Sequence, residues 1–196
     1  MKEASQFLIK NDPILGQIIQ STDLELPLST NFVFHDLMSC VIEQQIHYRS
    51  TKKTFEKLLT KAGIETLTPE NFHLIEQAGL TELKLSNQKL NTIQNILDFW
   101  EKEEPYFQSE SPENMKQKLG TLKGFGPWTI DMIMLYTLGQ PDVFPADDYH
   151  LKKAMCELYG LNPKVRLRAE MKQIAEKWKP YSSLAVLYIL QWRKNK

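Results

Sequence analysis

The stretch Leu119-Gly120-Thr121-Leu122-Lys123-Gly124-Phe125-Gly126-Pro127-Trp128-Thr129-Ile130-Asp131-Met132-Ile133 sets two glycines around one apolar residue, between two segments of helical periodicity. Glycine there serves a tight turn with positive φ, or a close approach of the backbone to a ligand. Pro127 fits the first position of the following helix, where its missing N–H costs nothing. Such a hairpin turns unpaired N–H groups of a helix N-terminus outward, and these form a ready anion site. The same residues also suit an ordinary helix–helix turn, because short glycine patterns recur by chance.

Outward from the hairpin, apolar residues keep helical spacing. Phe34, Leu37, Met38, Val41 and Ile42 mark one amphipathic helix; Leu90, Ile93, Leu97 and Trp100 mark another, with Ser86 placed to cap its start. Runs of alternating β-branched residues are absent, and turn signals such as Asn11-Asp12-Pro13, Ala62-Gly63, Ser111-Pro112 and Gly160 to Pro163 punctuate the chain. Leu184 to Leu190 is apolar on all sides, as in a helix surrounded by others at the centre of a lobe. The expectation is an all-α, bundle-like domain of roughly ten helices over residues 1–196.

With 24 Lys+Arg against 24 Asp+Glu, the 196-residue chain has zero formal net charge, so a polyanion would have to be bound by a local surface. Main-chain donors at the hairpin meet that condition without a basic patch, and they position a backbone without reading its sequence. Cys40 and Cys156 lack the spacing of a metal or iron–sulfur site and read as buried free thiols. No apolar run approaches bilayer length, and Met1-Lys2-Glu3 opens a charged amphipathic segment; the expectation is a protein of the cytoplasm (nucleoid) in a prokaryote or of the nucleus in a eukaryote.

Leu122 to Thr129, continued through Leu138-Gly139-Gln140-Pro141-Asp142-Val143-Phe144-Pro145-Ala146-Asp147-Asp148, resembles the helix-hairpin-helix and Gly/Pro-rich aspartate loop of the DNA-3-methyladenine glycosylase II family. Ile42-Glu43-Gln44-Gln45-Ile46 is similar to that family's Gln-Gln loop, and Trp178-Lys179-Pro180-Tyr181-Ser182-Ser183 to its Trp-(Arg/Lys)-Pro element. The four matches fall in order, from about residue 30 to the C-terminus. The resemblance implies a two-lobed helical glycosylase fold with a cleft between the lobes. One lobe would span about 26–140, with the hairpin at 119–133, and the other about 1–25 plus 141–196. Too few residues precede the first matching helix for the additional N-terminal domain of some members.

The resemblance places the catalytic role on Asp148, 22 positions after Gly126. Breaking an N-glycosidic bond builds positive charge on the deoxyribose, which one carboxylate can stabilise while orienting water. An alkylated purine leaves as a neutral base and needs no general acid, unlike the leaving group of most sugar hydrolases. By position alone Asp148 also reads as a helix N-cap, and Asp147 as a capping or solvated neighbour.

The resemblance further implies that Gln45 fills the gap of a flipped nucleotide, braced by Gln44, and that Trp128, Met132 and Tyr149 line the base pocket. An aromatic face suits a cationic base, but Met132 and Leu190 stand where relatives carry aromatics, which leaves the lesion range open. Ser182 replaces an Arg, at the cost of a phosphate contact. Lys123, Gly124, Phe125, Gly126 and Thr129 would hold DNA.

Trp128 occupies the place of the Schiff-base lysine of bifunctional relatives, so excision without lyase activity is expected. No cofactor, iron–sulfur cluster or catalytic metal is implied, although relatives allow a monovalent cation at the hairpin carbonyls. The expected partner is double-stranded DNA with damaged bases, bound by a monomer. The alternatives are a relative acting on oxidised or deaminated purines, and a non-catalytic helix-hairpin-helix module.

Overall fold

Every regular element among the described residues is helical, as the periodicity requires. The computed structural model describes residues 2–43, 52–107 and 110–196, the side chains of 103–107 excepted. In chain order the α-helices are α1 (Lys2–Asn11), α2 (Pro13–Ser21), α3 (Val33–Glu43), α4 (Lys53–Ala62), α5 (Phe72–Gln77), α6 (Asn87–Phe107), α7 (Pro112–Gly120), α8 (Pro127–Met132), α9 (Tyr149–Tyr159), α10 (Leu167–Ala175) and α11 (Ser182–Lys194). A wider π-helical turn, Ile133–Thr137, follows α8. No helix among the described residues is long and apolar enough to cross a membrane. The chain divides into two compact units, one of residues 1–29 with 134–196 and the other of residues 30–133.

The first unit is built around α11, which packs against α1, α2 and α9. Ala185, Val186 and Ile189 are inaccessible, as expected of a helix apolar on all sides. Its polar counterpart is Asp12. One oxygen of this buried carboxylate caps α2, accepting from the N–H groups of Ile14 and Leu15, both at 3.1 Å. The other accepts from Tyr159 Oη and Trp178 Nε1, both at 2.9 Å. Such full satisfaction offsets the cost of burying a carboxylate. Burial, then the nearby Asp12 charge and hydrogen bond, push the Tyr159 hydroxyl far above its ordinary pKa. Asn11-Asp12-Pro13, legible in sequence only as a turn, thus joins three elements.

In the second unit, α3 buries Phe34, Leu37, Met38, Val41 and Ile42 and packs against α4 and α6. On α6 the buried stripe is Ile93, Ile96 and Trp100, with Trp100 edge-on to Phe34 at 5.4 Å. Leu90, expected on that stripe, falls at its edge and is 47% exposed. Ser86 does approach its capping role, with its Oγ 3.4 Å from the Lys89 N–H. The two cysteines are free but half-buried, not fully buried as expected, because each sits at the margin of its helix's apolar face. Burial pushes the Cys40 thiol up to about 11.

His35 fastens the loop after α4. Its Nδ1 accepts from the Leu67 N–H at 3.0 Å while Phe55 packs edge-on at 4.9 Å. Burial lowers its pKa from 6.5, outweighing the opposing pull of Asp36. The folded chain therefore holds this imidazole neutral more firmly than the unfolded chain does. Its stabilising contribution is complete above pH 6.5 and is lost as pH falls from there towards the lowered folded value. Melting temperatures between about pH 8 and about pH 5 should fall more steeply for the native chain than for His35→Asn, whose side-chain oxygen can still accept from Leu67. Equal slopes would remove His35 as the cause.

Candidate active site

In the first unit, the segment leading to Asp148 is sewn onto the start of α11. Ser183 Oγ donates to the Gln140 carbonyl and accepts from the Val143 N–H at 2.9 Å, and the Ser183 N–H donates to the Pro141 carbonyl at 3.0 Å. Asp142 Oδ1 accepts from both the Oγ and the N–H of Ser182. Phe144 then packs edge-on to Trp178, 5.8 Å between ring centres, and Trp178 is the ring fixed by Asp12. Ser182 is therefore an inaccessible latch, 1% exposed. Ser182, expected from the resemblance to cost a phosphate contact, holds the loop from inside.

The loop delivers Asp148 with its side chain buried, 6% exposed. Asp148 is the N-cap of α9: its backbone is extended, and its Oδ1 accepts from the Leu151 N–H at 2.7 Å. The capping reading and the catalytic assignment thus fall on one residue. They are compatible, because a carboxylate offers about four lone-pair sites and the cap fixes its orientation through one oxygen. Asp147, expected to cap or to be solvated, does not cap and stays partly exposed. It lies in an ion cluster with Arg168 at 3.0 Å and Lys152 at 3.6 Å, since the cap position is taken by its neighbour. Tyr149 opens α9, 60% exposed, with Lys153 Nζ 4.7 Å from its ring centre.

In the second unit, the hairpin joins α7 to α8 over a support supplied by α6. Gly124 has φ +105°, and a Cβ there would stand 2.3 Å from Thr92 Oγ1. Asn95 Nδ2 donates to the Lys123 carbonyl at 3.3 Å. Gly126 differs: φ is −90°, a Cβ would meet nothing within 4 Å, and no side chain caps the helix that follows. The first glycine is thus required by the fold, while the second is tolerated by the fold and leaves the backbone uncovered. Pro127 takes the first helical position, as expected. Lys123 is exposed, whereas Phe125, Trp128 and Thr129 are half-buried. Met132 is almost inaccessible at 2%. Lys116 Nζ lies 2.7 Å from Asp131 Oδ1 and ties α7 to α8.

Gln44 and Gln45 lie outside the described residues. Before them, Glu43 Oε1 accepts from the Phe55 N–H at 2.7 Å, joining the end of α3 to the first turn of α4. Thr92 and Asn95 were not singled out from sequence, and Asp142 and Ser183 were quoted within the resembling stretches without a role of their own.

An all-α chain with a glycine hairpin leading through proline into a helix, and with a buried capping aspartate after a Gly/Pro loop, has the makings of a helix-hairpin-helix repair protein. Residues 38–180 match the HhH-GPD superfamily of base excision DNA repair proteins, and the chain belongs to it. It is 27% identical over 139 residues to the alkylbase DNA glycosidase-like protein mag2 of Schizosaccharomyces pombe, covering 71% of this chain and 57% of that protein. It is 26% identical over 173 residues to DNA-3-methyladenine glycosylase 1 of the same yeast, covering 83% and 72%. The chain thus spans little more than half the length of the first of these. Among solved structures, the DNA-3-methyladenine glycosidase of Bacillus halodurans superposes with a TM-score of 0.78 at 24% identity, over 97% of this chain and 88% of that one.

The two glycines should separate in a stability measurement. Gly124→Ala is expected to cost about 1–3 kcal/mol, from a positive φ combined with the clash on Thr92. Gly126→Ala should cost less than about 1 kcal/mol, since only the cap preference changes. Equal losses in urea unfolding would contradict this division.

Proposed function

We propose that the chain is a monofunctional DNA glycosylase of the DNA-3-methyladenine glycosylase II type. It would flip alkylated purines such as 3-methyladenine out of duplex DNA and release them by hydrolysis. The observation that carries this reading is the buried carboxylate of Asp148, oriented by its cap on α9 at the end of a loop latched by Ser182 and Ser183. Family membership supplies the chemical context.

In this reading Asp148 offsets the positive charge that develops on the deoxyribose as the base departs, and orients the attacking water. The damaged purine, cationic in the substrate, leaves neutral. No general acid or metal is then required of the protein. By the family resemblance the base is assigned to Trp128, Met132 and Tyr149, and the aromatic faces of Trp128 and Tyr149 would attract the cationic ring. Gln45 occupies the space vacated in the stack. The uncovered backbone at Gly126, with Gly124, Phe125, Thr129 and the exposed Lys123, holds a phosphate of double-stranded DNA. This accounts for DNA binding by a chain of zero net charge.

Because Trp128 carries no amine, the reaction passes through no imine at that position and leaves an intact abasic site. Borohydride should therefore trap no covalent protein–DNA adduct during turnover; efficient trapping would assign lyase activity to another lysine.

The deciding variant is Asp148→Asn, because an amide oxygen still accepts from Leu151 and keeps the cap. Release of 3-methyladenine from methylated DNA should fall on the order of 10²- to 10⁴-fold, with unchanged melting and retained affinity for abasic duplex. Asp148→Ala should lose activity and also about 1 kcal/mol of stability with the cap. Native rates in Asp148→Asn would reduce the residue to a helix cap. Gly126→Ala should weaken binding of every duplex alike, and unchanged affinity would withdraw the phosphate role of the hairpin.

A further inference from the structure

The start of α6 and the hairpin enclose a cavity of about 300 Å³ within the second unit. Its lining includes Ser86, Gln88 and Lys89 from the start of α6 and Gly124, Phe125, Trp128 and Thr129 from the hairpin and α8. Of the described residues lining it, Lys89 alone bears a formal charge. Its Nζ donates to the Val41 carbonyl at the end of α3. An ammonium has three donors, so that contact leaves two for a ligand.

The surroundings of Lys89 are short of negative charge. Burial lowers its pKa, and Glu43, whose carboxylate pulls it back up, spends one oxygen on the Phe55 N–H. The ammonium donates to one carbonyl, and the lining adds the hydroxyls of Ser86 and Thr129 and the amide of Gln88, donors from which an anion with several acceptor oxygens can accept. The hairpin residues Gly124 and Phe125 share this lining. A nucleic-acid strand held at Gly124 to Gly126 would therefore pass along the cavity mouth.

We propose that this cavity is a second phosphodiester subsite, in which Lys89 and Ser86 hold the DNA phosphate adjacent to the one at the hairpin. The inference rests on the proposed reading of the hairpin as a DNA-binding element, and goes beyond it by adding a side-chain contact to main-chain ones. Two successive phosphates, one held by backbone dipoles and one by a fixed cation, define the direction of the strand as well as its position.

The test is equilibrium binding of the whole chain to an undamaged and an abasic duplex over a range of salt, for the native chain, Lys89→Gln and Lys89→Arg. Lys89→Gln should weaken both duplexes by the same factor and flatten the slope of log K against log salt by about 1. Lys89→Arg, which keeps the charge, should restore most of the slope and guards against a folding defect in the glutamine variant. An unchanged slope in Lys89→Gln, beside normal binding by the native chain, would overturn the subsite and leave the glycosylase reading standing. A native chain without affinity for either duplex would instead sink the glycosylase reading. Inorganic phosphate or a nucleoside monophosphate that binds the native chain, is lost in Lys89→Gln and leaves the duplex slope untouched would assign the cavity to a small anion and overturn the DNA subsite.

Discussion

A single hydrogen bond, from the Leu151 N–H to Asp148 Oδ1, ties the chemistry proposed for this chain to its fold. Helix α9 begins with N–H groups that need an acceptor, and Asp148 supplies one at the point where the Gly/Pro loop ends. The helix is thereby capped, and the carboxylate loses the rotational freedom that a reactive group cannot afford. Three further supports converge on the same loop: Ser183 at the Gln140 carbonyl, Ser182 at Asp142, and Phe144 against a Trp178 fixed by Asp12. The proposed catalytic group, though placed on a loop, is thus held from several sides, which is how loops carry function on rigid scaffolds.

The hairpin follows a different logic. At Gly124 the place of a side chain is taken by Thr92, while Gly126 has open space where a side chain would be. A chain with equal numbers of acidic and basic residues cannot rely on a general attraction to a polyanion. Bare backbone and one placed lysine can serve instead, because local donors act at contact distance.

The all-α class, the hairpin, the helix-opening role of Pro127 and the central position of α11 were legible in sequence, because each rests on a period or on a backbone requirement tied to residue type. The cap made by Asp148 was legible only beside the catalytic reading of the same residue, since a capping aspartate and a catalytic one look alike in sequence. Asp12 escaped notice because its partners, Tyr159 and Trp178, lie more than a hundred residues away. Thr92 and Asn95 escaped for a similar reason, as polar residues on a helix give no sign of which loop they will meet. Leu90 was misplaced because a stripe of few residues fixes the rotation of a helix only loosely.

The central claim is that Asp148 favours positive charge at the sugar, beyond any part it plays in holding α9. Its most direct test compares two abasic-site analogues in duplex DNA: a pyrrolidine, whose ring nitrogen is cationic, and a tetrahydrofuran of the same shape that is neutral. A site complementary to a cationic transition state binds the charged analogue more tightly. The native chain should prefer the pyrrolidine strongly, and the Asp148→Asn chain should bind both alike. An equal preference in the two proteins would contradict the account.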